Sequence, residues 1–284
     1  MKLKIAIQKS GRLHEDSVKL LRECGIRLDN GHNQLRAEAV NFPLEALFLR
    51  DDDIPQYVED GVADIGIAGA NVVLEKGKQV AIADRLGFGR CRLSLAVPRN
   101  DAYGSVRDLA HKKIATSYPR LLRRYLDEQG VEAEIHEISG SVEIAPGIGL
   151  ADAICDLVSS GSTLLTNGLK ETETILHSEA LMIRNMQLTE SKTGLLGQLL
   201  FRIRAVREAK RYKYILLNAP NSQLEAIHRL LPGMKSPTIL PLAEPGWSSL
   251  HSVVQEDAFW SITEQLKDLG AQGILVVPIE KMIA

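Results

Sequence analysis

The sequence has few cysteines, almost no net charge and no long hydrophobic run. Its three cysteines, Cys24, Cys91 and Cys155, lack the spacing of a metal site, so we expect reduced and mostly buried thiols. The formal net charge of −2 at pH 7 gives no general attraction to nucleic acid or to an anionic membrane, and we predict neither as a partner. No apolar run approaches a membrane span, and the opening MKLKIAIQKSGR is too short in apolar residues for a signal peptide. We therefore expect a cytoplasmic protein.

The sequence does have the composition of an ordinary globular protein. Of its 284 residues, 45% are hydrophobic and 25% are charged, which favours two or three domains with sizeable cores. The charge is compatible with binding of small phosphorylated ligands, because a local group of basic residues can bind them without a large net charge.

Short apolar runs alternate with helical patterns in the first third of the chain. KLKIAIQ predicts a buried strand, and HEDSVKLLREC follows it with apolar residues at helical spacing. EALFLR then leads into DDDIPQYVEDG, and ADIGIA leads into GANVVLEKG. This order is typical of an α/β fold with a largely parallel sheet. We assign residues 1–92 to a first lobe, completed by about 181–210.

Three polar loops follow the predicted strands of this lobe. They are Lys9–Arg12, Arg50–Asp53 and Gly69–Asn71. Ligands of open α/β sheets bind at the carboxyl ends of the strands, so these loops outline a ligand site. Within the second loop we expect Asp52 and Asp53 to cap the helix that follows.

A second lobe is predicted over residues 93–180. CRLSLAVPR is a strand that leaves the first lobe, and a new α/β series begins after it. GVADIGIAGANVV, from Gly61, and GLADAICDLVSSGSTLL, from Gly149, share a glycine, an aliphatic residue, Ala-Asp and an apolar run that ends in a glycine-containing loop. Periodicity alone allows a helix at 150–158, but this internal similarity favours a strand over 152–158.

The loop after that strand consists of small hydroxylated side chains around one glycine: Ser159, Ser160, Gly161, Ser162 and Thr163. If a helix begins near Gly161, the loop offers backbone N–H groups, hydroxyl donors and the positive end of a helix dipole to a phosphate. A second interpretation is that Ser159 or Ser160 only caps the helix.

Carboxylates in the neighbourhood of this loop favour the phosphate interpretation. Asp152, Asp156 and Glu143 cannot bind a phosphate themselves, but carboxylates bind sugar hydroxyls well. A phosphate cradle beside carboxylates suits a ribose 5-phosphate.

The last segment, residues 211–284, follows a long predicted helix, SKTGLLGQLLFRIRAVREAK. Its pattern is strand KYILLNAP, helix SQLEAIHRLL, strands PTILPLA and SSLHSVVQ, helix DAFWSITEQLKDLG and strand QGILVVPI. This βαββαβ order predicts a ferredoxin-like domain, a fold that does not by itself specify a function.

The chain resembles the ATP phosphoribosyltransferases of the long form over essentially its whole length. The similarity lies in IAIQKSGRL, RDDDIP, CRLSLAVP, IATSYPRLLRRYL, GSVEIAPGIGLADAICDLVSSGSTL and the terminal SPTILPL and ILVVPIEKM. It implies a two-lobed core like that of type II periplasmic binding proteins and a C-terminal regulatory domain of the ACT-like type. The implied reaction is attack of the adenine N1 of ATP on C1 of phosphoribosyl pyrophosphate, with Mg²⁺ present.

The resemblance also implies roles for single residues. Residues 159–163 would hold the 5-phosphate, and Glu143 and Asp156 would lie near the ribose hydroxyls or the Mg²⁺, whose direct ligands stay unassigned. Lys9 is a catalytic candidate. ATP or pyrophosphate would be bound by Lys9, Ser10, Gly11, Arg12, Arg50, Asn71 and Tyr118. From the residues alone, solvated loop charges are the favoured interpretation of Lys9 and Arg12, and a surface tyrosine is an equally good interpretation of Tyr118.

Regulation by histidine, the end product, is a further implication of the resemblance. Thr238 and the backbone around Gly273 match the family's pattern for binding histidine, and Asn218 stands where some relatives carry an acidic residue. The family implies a homo-oligomer, a hexamer in exchange with a dimer. Two other classes fit parts of the sequence: a two-lobed small-molecule binding protein without catalysis, and a regulatory sensor.

Overall fold

The computed structural model describes residues 1–29 and 35–283. They form two compact units, Met1–Arg22 with Ile26–Leu195, and Glu23–Gly25 with the chain from Leu196 onward. No helix in these described ranges is both long enough and apolar enough to cross a membrane.

The larger unit begins with a lobe of alternating strands and helices. Its elements are β1 (Leu3–Gln8), α1 (Arg12–Glu23), β2 (Leu28–Asp29), β3 (Arg36–Ala39), β4 (Leu44–Leu49), α2 (Ile54–Glu59), β5 (Ile65–Gly69), α3 (Ala70–Lys76) and β6 (Val80–Arg85). Strand β1 is central and pairs in parallel with β4 and β5. Its Leu3, Ile5 and Ile7, on one face, and Ala6, on the other, are completely buried, as expected for a parallel strand covered on both faces.

The second lobe of this unit follows without a break. Its elements are β7 (Cys91–Pro98), β8 (Lys113–Thr116), α4 (Pro119–Gln129), β9 (Glu134–Glu137), β10 (Ala153–Val158), α5 (Ser162–Thr166) and β11 (Leu169–Ser178). They build a five-stranded sheet in the order β11-β7-β10-β8-β9. The strand predicted over 152–158 is therefore confirmed as β10, and its nearly continuous apolar run fits a strand covered on both faces.

The chain then returns to the first lobe through β12 (Ala180–Asn185). The completed first sheet has the order β2-β3-β4-β1-β5-β12-β6, in which β12 runs antiparallel to both of its neighbours. The two sheets are thus joined by two chain crossings, one between β6 and β7 and one at Glu179, between β11 and β12.

The smaller unit contains the predicted ferredoxin-like domain. After α6 (Glu190–Ala209) come β13 (Tyr212–Pro220), α7 (Leu224–Leu230), β14 (Thr238–Pro241), β15 (Trp247–Gln255), α8 (Glu256–Asp268) and β16 (Gln272–Pro278). The antiparallel order β14-β15-β13-β16 confirms the βαββαβ prediction. Buried residues such as Ile215, Leu250 and Leu266 join the sheet to α7 and α8 on one face.

Candidate active site

Loops of the two lobes meet within the larger unit. The guanidinium Nη1 of Arg12, at the start of α1, lies 3.5 Å from the Ser159 hydroxyl, just after β10. Lys9, Ser10 and Gly11 fill the turn between β1 and α1 and are exposed. Gly11 has a φ of +87°, which lets the chain turn sharply there. The two loops that the sequence predicted to bind phosphates are thus neighbours in the structure.

The loop at residues 159–163 has the conformation of a tight turn that leads into α5. Gly161 occupies the N-cap position with a φ of +82° and itself has no side chain that could cap the helix. The Ser160 and Ser162 hydroxyls lie 2.9 Å apart, and both side chains are exposed. The Ser160 hydroxyl accepts the N–H of Ser162, the first residue of α5, at 3.4 Å, so Ser160 contributes to capping this helix, whereas the Ser159 hydroxyl lies next to Arg12 instead. Helix α5 has only 5 residues, so its dipole is weaker than the sequence suggested, and the donors that matter are the N–H and hydroxyl groups.

Two carboxylates flank this loop. The pKa of Asp156, on β10, is raised to about 6, mainly by burial and to a lesser degree by the nearby charge of Glu143, against the opposite effect of the Leu157 N–H. Glu143 lies in a short 3-10 turn, Val142–Ile144. Asp152 is not part of this pair, because its carboxylate accepts the Lys113 N–H at 2.8 Å before β10 begins.

Asn71 and Tyr118 form a hydrogen-bonded link between the lobes. The Asn71 amide donates to the Tyr118 hydroxyl at 3.1 Å and accepts from the Ser178 hydroxyl at 2.7 Å. Asn71 is only 4% exposed, and the nitrogen and the oxygen of its amide each have a partner inside the protein. Burial raises the pKa of Tyr118, and the charge of Asp156 acts in the same direction.

The aspartates after β4 behave differently from the prediction. Asp51–Asp53 form a 3-10 turn, and Asp53 precedes α2 without a side-chain capping bond because its own backbone is already helical. Asp52 is exposed and pairs with Lys76 at 3.4 Å. The predicted capping role of Asp52 and Asp53 is therefore wrong. Arg50, the residue before this turn, is exposed.

Asp51 is the unusual member of this group. Its Oδ1 is buried and has no hydrogen-bond partner in the part of the chain that the structure describes. Burial and the neighbouring charge of Asp52 raise its pKa to about 6, against a smaller opposite effect of Lys76. A carboxylate in this state lowers the stability of the folded protein when it is ionised.

Sequence reasoning missed two charged groups that shape the site. Arg92 donates its Nη1 to the Ser159 carbonyl at 3.2 Å and binds the Glu171 carboxylate with its other two nitrogens. Glu75, on α3, accepts the Arg120 and Leu121 N–H groups at 2.9 Å and so satisfies the N-terminus of α4. Each of these residues is separated from its partners by 45 or more residues in the sequence, so no local motif predicts the contacts.

The structure also shows the state of the three thiols and tests for groups of metal-binding side chains. Cys24 and Cys155 are buried, Cys91 is partly buried, and all three are free, as expected. Burial raises the pKa of Cys24 to about 11, so this thiol is not a nucleophile at neutral pH. Within the described ranges, no three acidic, histidine or cysteine side chains are grouped as a metal site.

The residues expected to bind histidine lie in the smaller unit. The pairing of β13 with β16 shifts register between Leu216 and Asn218, and a Cβ added at Gly273 would lie 3.7 Å from the Asn218 amide nitrogen. Thr238 is opposite His251 on β15, so one strand separates it from β13. The structure therefore brings Asn218 and Gly273 together, whereas Thr238 lies two strands from Asn218 and three strands from Gly273, which is more than about 10 Å from either.

Comparisons with known proteins agree over the whole chain. A family model described as HisG: ATP phosphoribosyltransferase matches residues 50–205, and a model of the HisG C-terminal domain matches residues 209–281. ATP phosphoribosyltransferases of Cytophaga hutchinsonii and Parabacteroides distasonis are 58% and 56% identical to it over 281 residues, which is 99% of this chain and 98% and 99% of the relatives. A chain from an ATP phosphoribosyl transferase (HisG:HisZ) complex of Thermotoga maritima has a TM-score of 0.61 and 30% identity, covering 71% of this chain and 98% of that chain.

Together these matches define an enzyme class, a transferase that moves a phosphoribosyl group. The chain belongs to the ATP phosphoribosyltransferase family, whose enzymes act in histidine biosynthesis. The family expected from the sequence is thus confirmed, as is the two-lobed α/β core with its C-terminal domain.

Proposed function

We propose that the protein transfers the phosphoribosyl group of phosphoribosyl pyrophosphate to N1 of the ATP adenine and releases pyrophosphate, the first step of histidine biosynthesis. The observation that carries the proposal is the approach of Arg12 to Ser159 at 3.5 Å. It joins a cationic loop of one lobe to a donor-rich loop of the other. A substrate with phosphates at both ends of a ribose needs such an arrangement.

The chemistry asks the protein for positioning and charge stabilisation. Displacement of pyrophosphate at the anomeric carbon builds positive charge on the ribose, and adenine N1 attacks with its own lone pair. No side-chain nucleophile is needed, and the site contributes orientation, stabilisation of the leaving group and exclusion of water. Lys9, Arg12 and Arg50 are exposed cations at the strand ends of the first lobe and are proposed to receive the pyrophosphate.

The 5-phosphate is proposed to bind the loop at residues 159–163. Gly161 has no side chain, so the backbone can come close to the phosphate, and the first N–H groups of a helix have no partner inside it. The exposed hydroxyls of Ser160, Ser162 and Thr163 supply further donors. Asp156, next to the loop, is proposed to accept hydrogen bonds from the ribose hydroxyls.

The acidic pair fits a divalent cation that arrives with the substrate. Mg²⁺ in nucleotide sites is typically bound by one or two carboxylates plus substrate phosphates, and it prefers oxygen ligands. Asp156 and Glu143 provide two such carboxylates close enough for the charge of one to raise the pKa of the other. We propose that this pair holds Mg²⁺, which when bound neutralises part of the pyrophosphate charge.

ATP is proposed to bind on the side of Tyr118, whose ring can stack on a base. Asn71 was expected to contact ATP or pyrophosphate directly. Because its amide is buried and both its nitrogen and its oxygen already have a partner, we propose instead that Asn71 holds the Tyr118 hydroxyl and so orients the ring.

Histidine is proposed to act as a feedback inhibitor through the C-terminal domain. Asn218 and Gly273 would bind the amino acid at the irregular part of the sheet, with Thr238 completing the contact across an assembled interface. Edge strands β14 and β16 are largely exposed and carry apolar residues such as Leu240 and Leu275, which supports a homo-oligomer, proposed to be a hexamer in exchange with a dimer. Inhibition requires histidine to prefer one global state. We propose that the enzyme works in the cytoplasm.

An assay of the purified protein tests the proposal. The protein is incubated with ATP, phosphoribosyl pyrophosphate and Mg²⁺, and the absorbance of the N1-substituted adenine nucleotide is followed. Product should form only when both substrates are present, and histidine should slow it. Tight binding of phosphoribosyl pyrophosphate without any product would favour a binding protein without catalysis.

A further inference from the structure

The guanidinium of Arg92 lies between a carboxylate and the phosphate loop. Its Nε and Nη2 donate to the two carboxylate oxygens of Glu171, on the neighbouring strand β11. Its Nη1 donates to the Ser159 carbonyl at 3.2 Å. The Arg92 and Glu171 side chains are only 32% and 26% exposed. All three nitrogens of the group are therefore engaged within the protein.

The bond to Ser159 determines the direction of the next backbone donor. The peptide between Ser159 and Ser160 is planar and trans, so its C=O and N–H point in opposite directions. A carbonyl held by Arg92 turns the Ser160 N–H away from Arg92. Among the described residues, neither the Ser160 nor the Gly161 N–H has a hydrogen-bond partner. Both donors are thus available to a ligand.

Ser159 is held from both lobes at once. Its carbonyl is bound by Arg92 of its own lobe, and its hydroxyl is approached by Arg12 of the other lobe. Arg92 follows Cys91 at the beginning of β7 and lies opposite Val158, the last residue of β10. This register brings the guanidinium to the residue at which the loop begins.

We propose that Arg92, oriented by Glu171, is a positioning residue that presents the Ser160 and Gly161 N–H groups to the 5-phosphate of phosphoribosyl pyrophosphate. The proposal rests on the function proposed above for the loop. Arg92 does not bind the phosphate itself, because Glu171 neutralises its charge and fixes its planar fork. A lysine cannot replace it, since one ammonium group cannot bind both carboxylate oxygens and the carbonyl in this geometry.

Kinetics of substituted full-length enzymes test this role. In Arg92→Gln, Glu171→Gln and Arg92→Lys we expect the KM for phosphoribosyl pyrophosphate to rise about tenfold, because misplacing a binding group by a fraction of an ångström has effects of this order. The KM for ATP should change less than about twofold, because the loop serves one substrate only. Arg124→Gln is the matched control, since Arg124 pairs with Glu128 on the exposed face of α4 in the same lobe.

The double variant distinguishes positioning from direct contact. If Arg92 acts through the fork held by Glu171, the double variant Arg92→Gln/Glu171→Gln should lose no more than Arg92→Gln alone. If Arg92 contacts the phosphate directly, Glu171→Gln frees its charge and binding stays normal or improves, which would overturn the proposal. Equal increases in both KM values would also overturn it, because they indicate general damage. If Arg92→Gln fails to fold, Glu171→Gln still distinguishes positioning from direct contact. This variant keeps the size of the side chain, so we expect it to fold.

A loop variant separates this inference from the function on which it rests. Gly161→Ala, which changes the loop itself, should weaken binding of phosphoribosyl pyrophosphate. If Gly161→Ala does so while Arg92→Gln and Glu171→Gln bind normally, only the positioning role of Arg92 is wrong. If all three variants bind normally, the proposed function of the loop fails as well.

Discussion

Asn71 donates its side-chain amide to the Tyr118 hydroxyl at 3.1 Å and thereby joins α3 of the first lobe to the start of α4 in the second. Both side chains were expected to bind ATP or pyrophosphate. The hydrogen bond indicates that Asn71 acts through Tyr118. Because it joins the two lobes, it also makes the position of the Tyr118 ring depend on both of them.

Substitutions of Tyr118 separate its ring from its hydroxyl. Tyr118→Phe keeps the stacking surface but leaves the buried Asn71 amide without one partner, so we expect a loss of about 1–2 kcal/mol in unfolding free energy and a small change in the KM for ATP. Tyr118→Ala removes the ring and should raise the KM for ATP at least about fivefold, because stacking of a base on an aromatic ring contributes about 1–3 kcal/mol. If the two variants lose equal affinity for ATP, the ring has no stacking role.

The raised pKa of Asp156 predicts an acidic limb in the activity profile. The carboxylate must be ionised to bind the ribose or the cation, so kcat/KM for phosphoribosyl pyrophosphate should fall as the pH drops through about 6. Because phosphate groups titrate in the same range, the comparison of variants decides. Asp156→Asn should be slow, and its activity should fall less steeply at acidic pH. The Asp51 carboxyl also has a pKa of about 6, but Asp51→Asn should keep the acidic limb of the parent. A limb that disappears only in Asp51→Asn contradicts the assignment.

Asp51 predicts a pH-dependent cost in stability. Its pKa is raised in the folded protein, which therefore binds the proton more tightly than the unfolded chain, and stability should decrease as the pH rises from about 4 to about 6. Asp51→Asn removes the buried charge and should raise the melting temperature at pH 8 by about 2–4 °C. At pH 4 the variant should not be more stable than the parent. Asp53→Asn, on the same turn but exposed, is the control and should show no such difference.

Thr238 tests the regulatory assignment. Thr238→Leu should weaken inhibition by histidine at least about fivefold, the lower end of typical coupling between sites, and leave uninhibited turnover unchanged. Ile239→Leu, at the next position of β14 and on the opposite face of the strand, is the control. Oligomeric state is measured alongside by light scattering. Unchanged inhibition in a correctly assembled Thr238→Leu enzyme would mean that the histidine site lies elsewhere.

Local pattern predicted the elements well, because each strand and helix carries its own signal. The alternation of apolar runs identified β1, β5 and the βαββαβ domain, and the internal similarity between the segments from Gly61 and Gly149 identified β10 as a strand. The capping roles predicted for Asp52 and Asp53 were wrong, because the sequence did not reveal the 3-10 turn that already makes the backbone of Asp53 helical.

The contacts of the site were harder to predict, because they depend on strand register and lobe packing. The loop at residues 159–163 and the carboxylates of Glu143 and Asp156 were found from composition and resemblance. Arg92 and Glu75 were missed, since their partners are far away in the sequence and become neighbours only when the sheets form. Asn71 was identified as a site residue, but its burial depends on Tyr118 and Ser178, which no local pattern reveals.

Direct binding of phosphoribosyl pyrophosphate to two glycine variants tests the central claim, that the loop at residues 159–163 holds the 5-phosphate. Gly161 and Gly168 lie on either side of α5 with φ values of +82° and +71°, and a Cβ at either position would meet no atom closer than 3.9 Å. Gly161→Ala and Gly168→Ala should therefore lose similar stability, about 1 kcal/mol each, through the same backbone strain. By calorimetry, Gly161→Ala should bind phosphoribosyl pyrophosphate at least about tenfold more weakly than the parent, because the loop changes where the phosphate lies, and Gly168→Ala should bind it normally. Equal affinity in both variants and the parent would contradict the account.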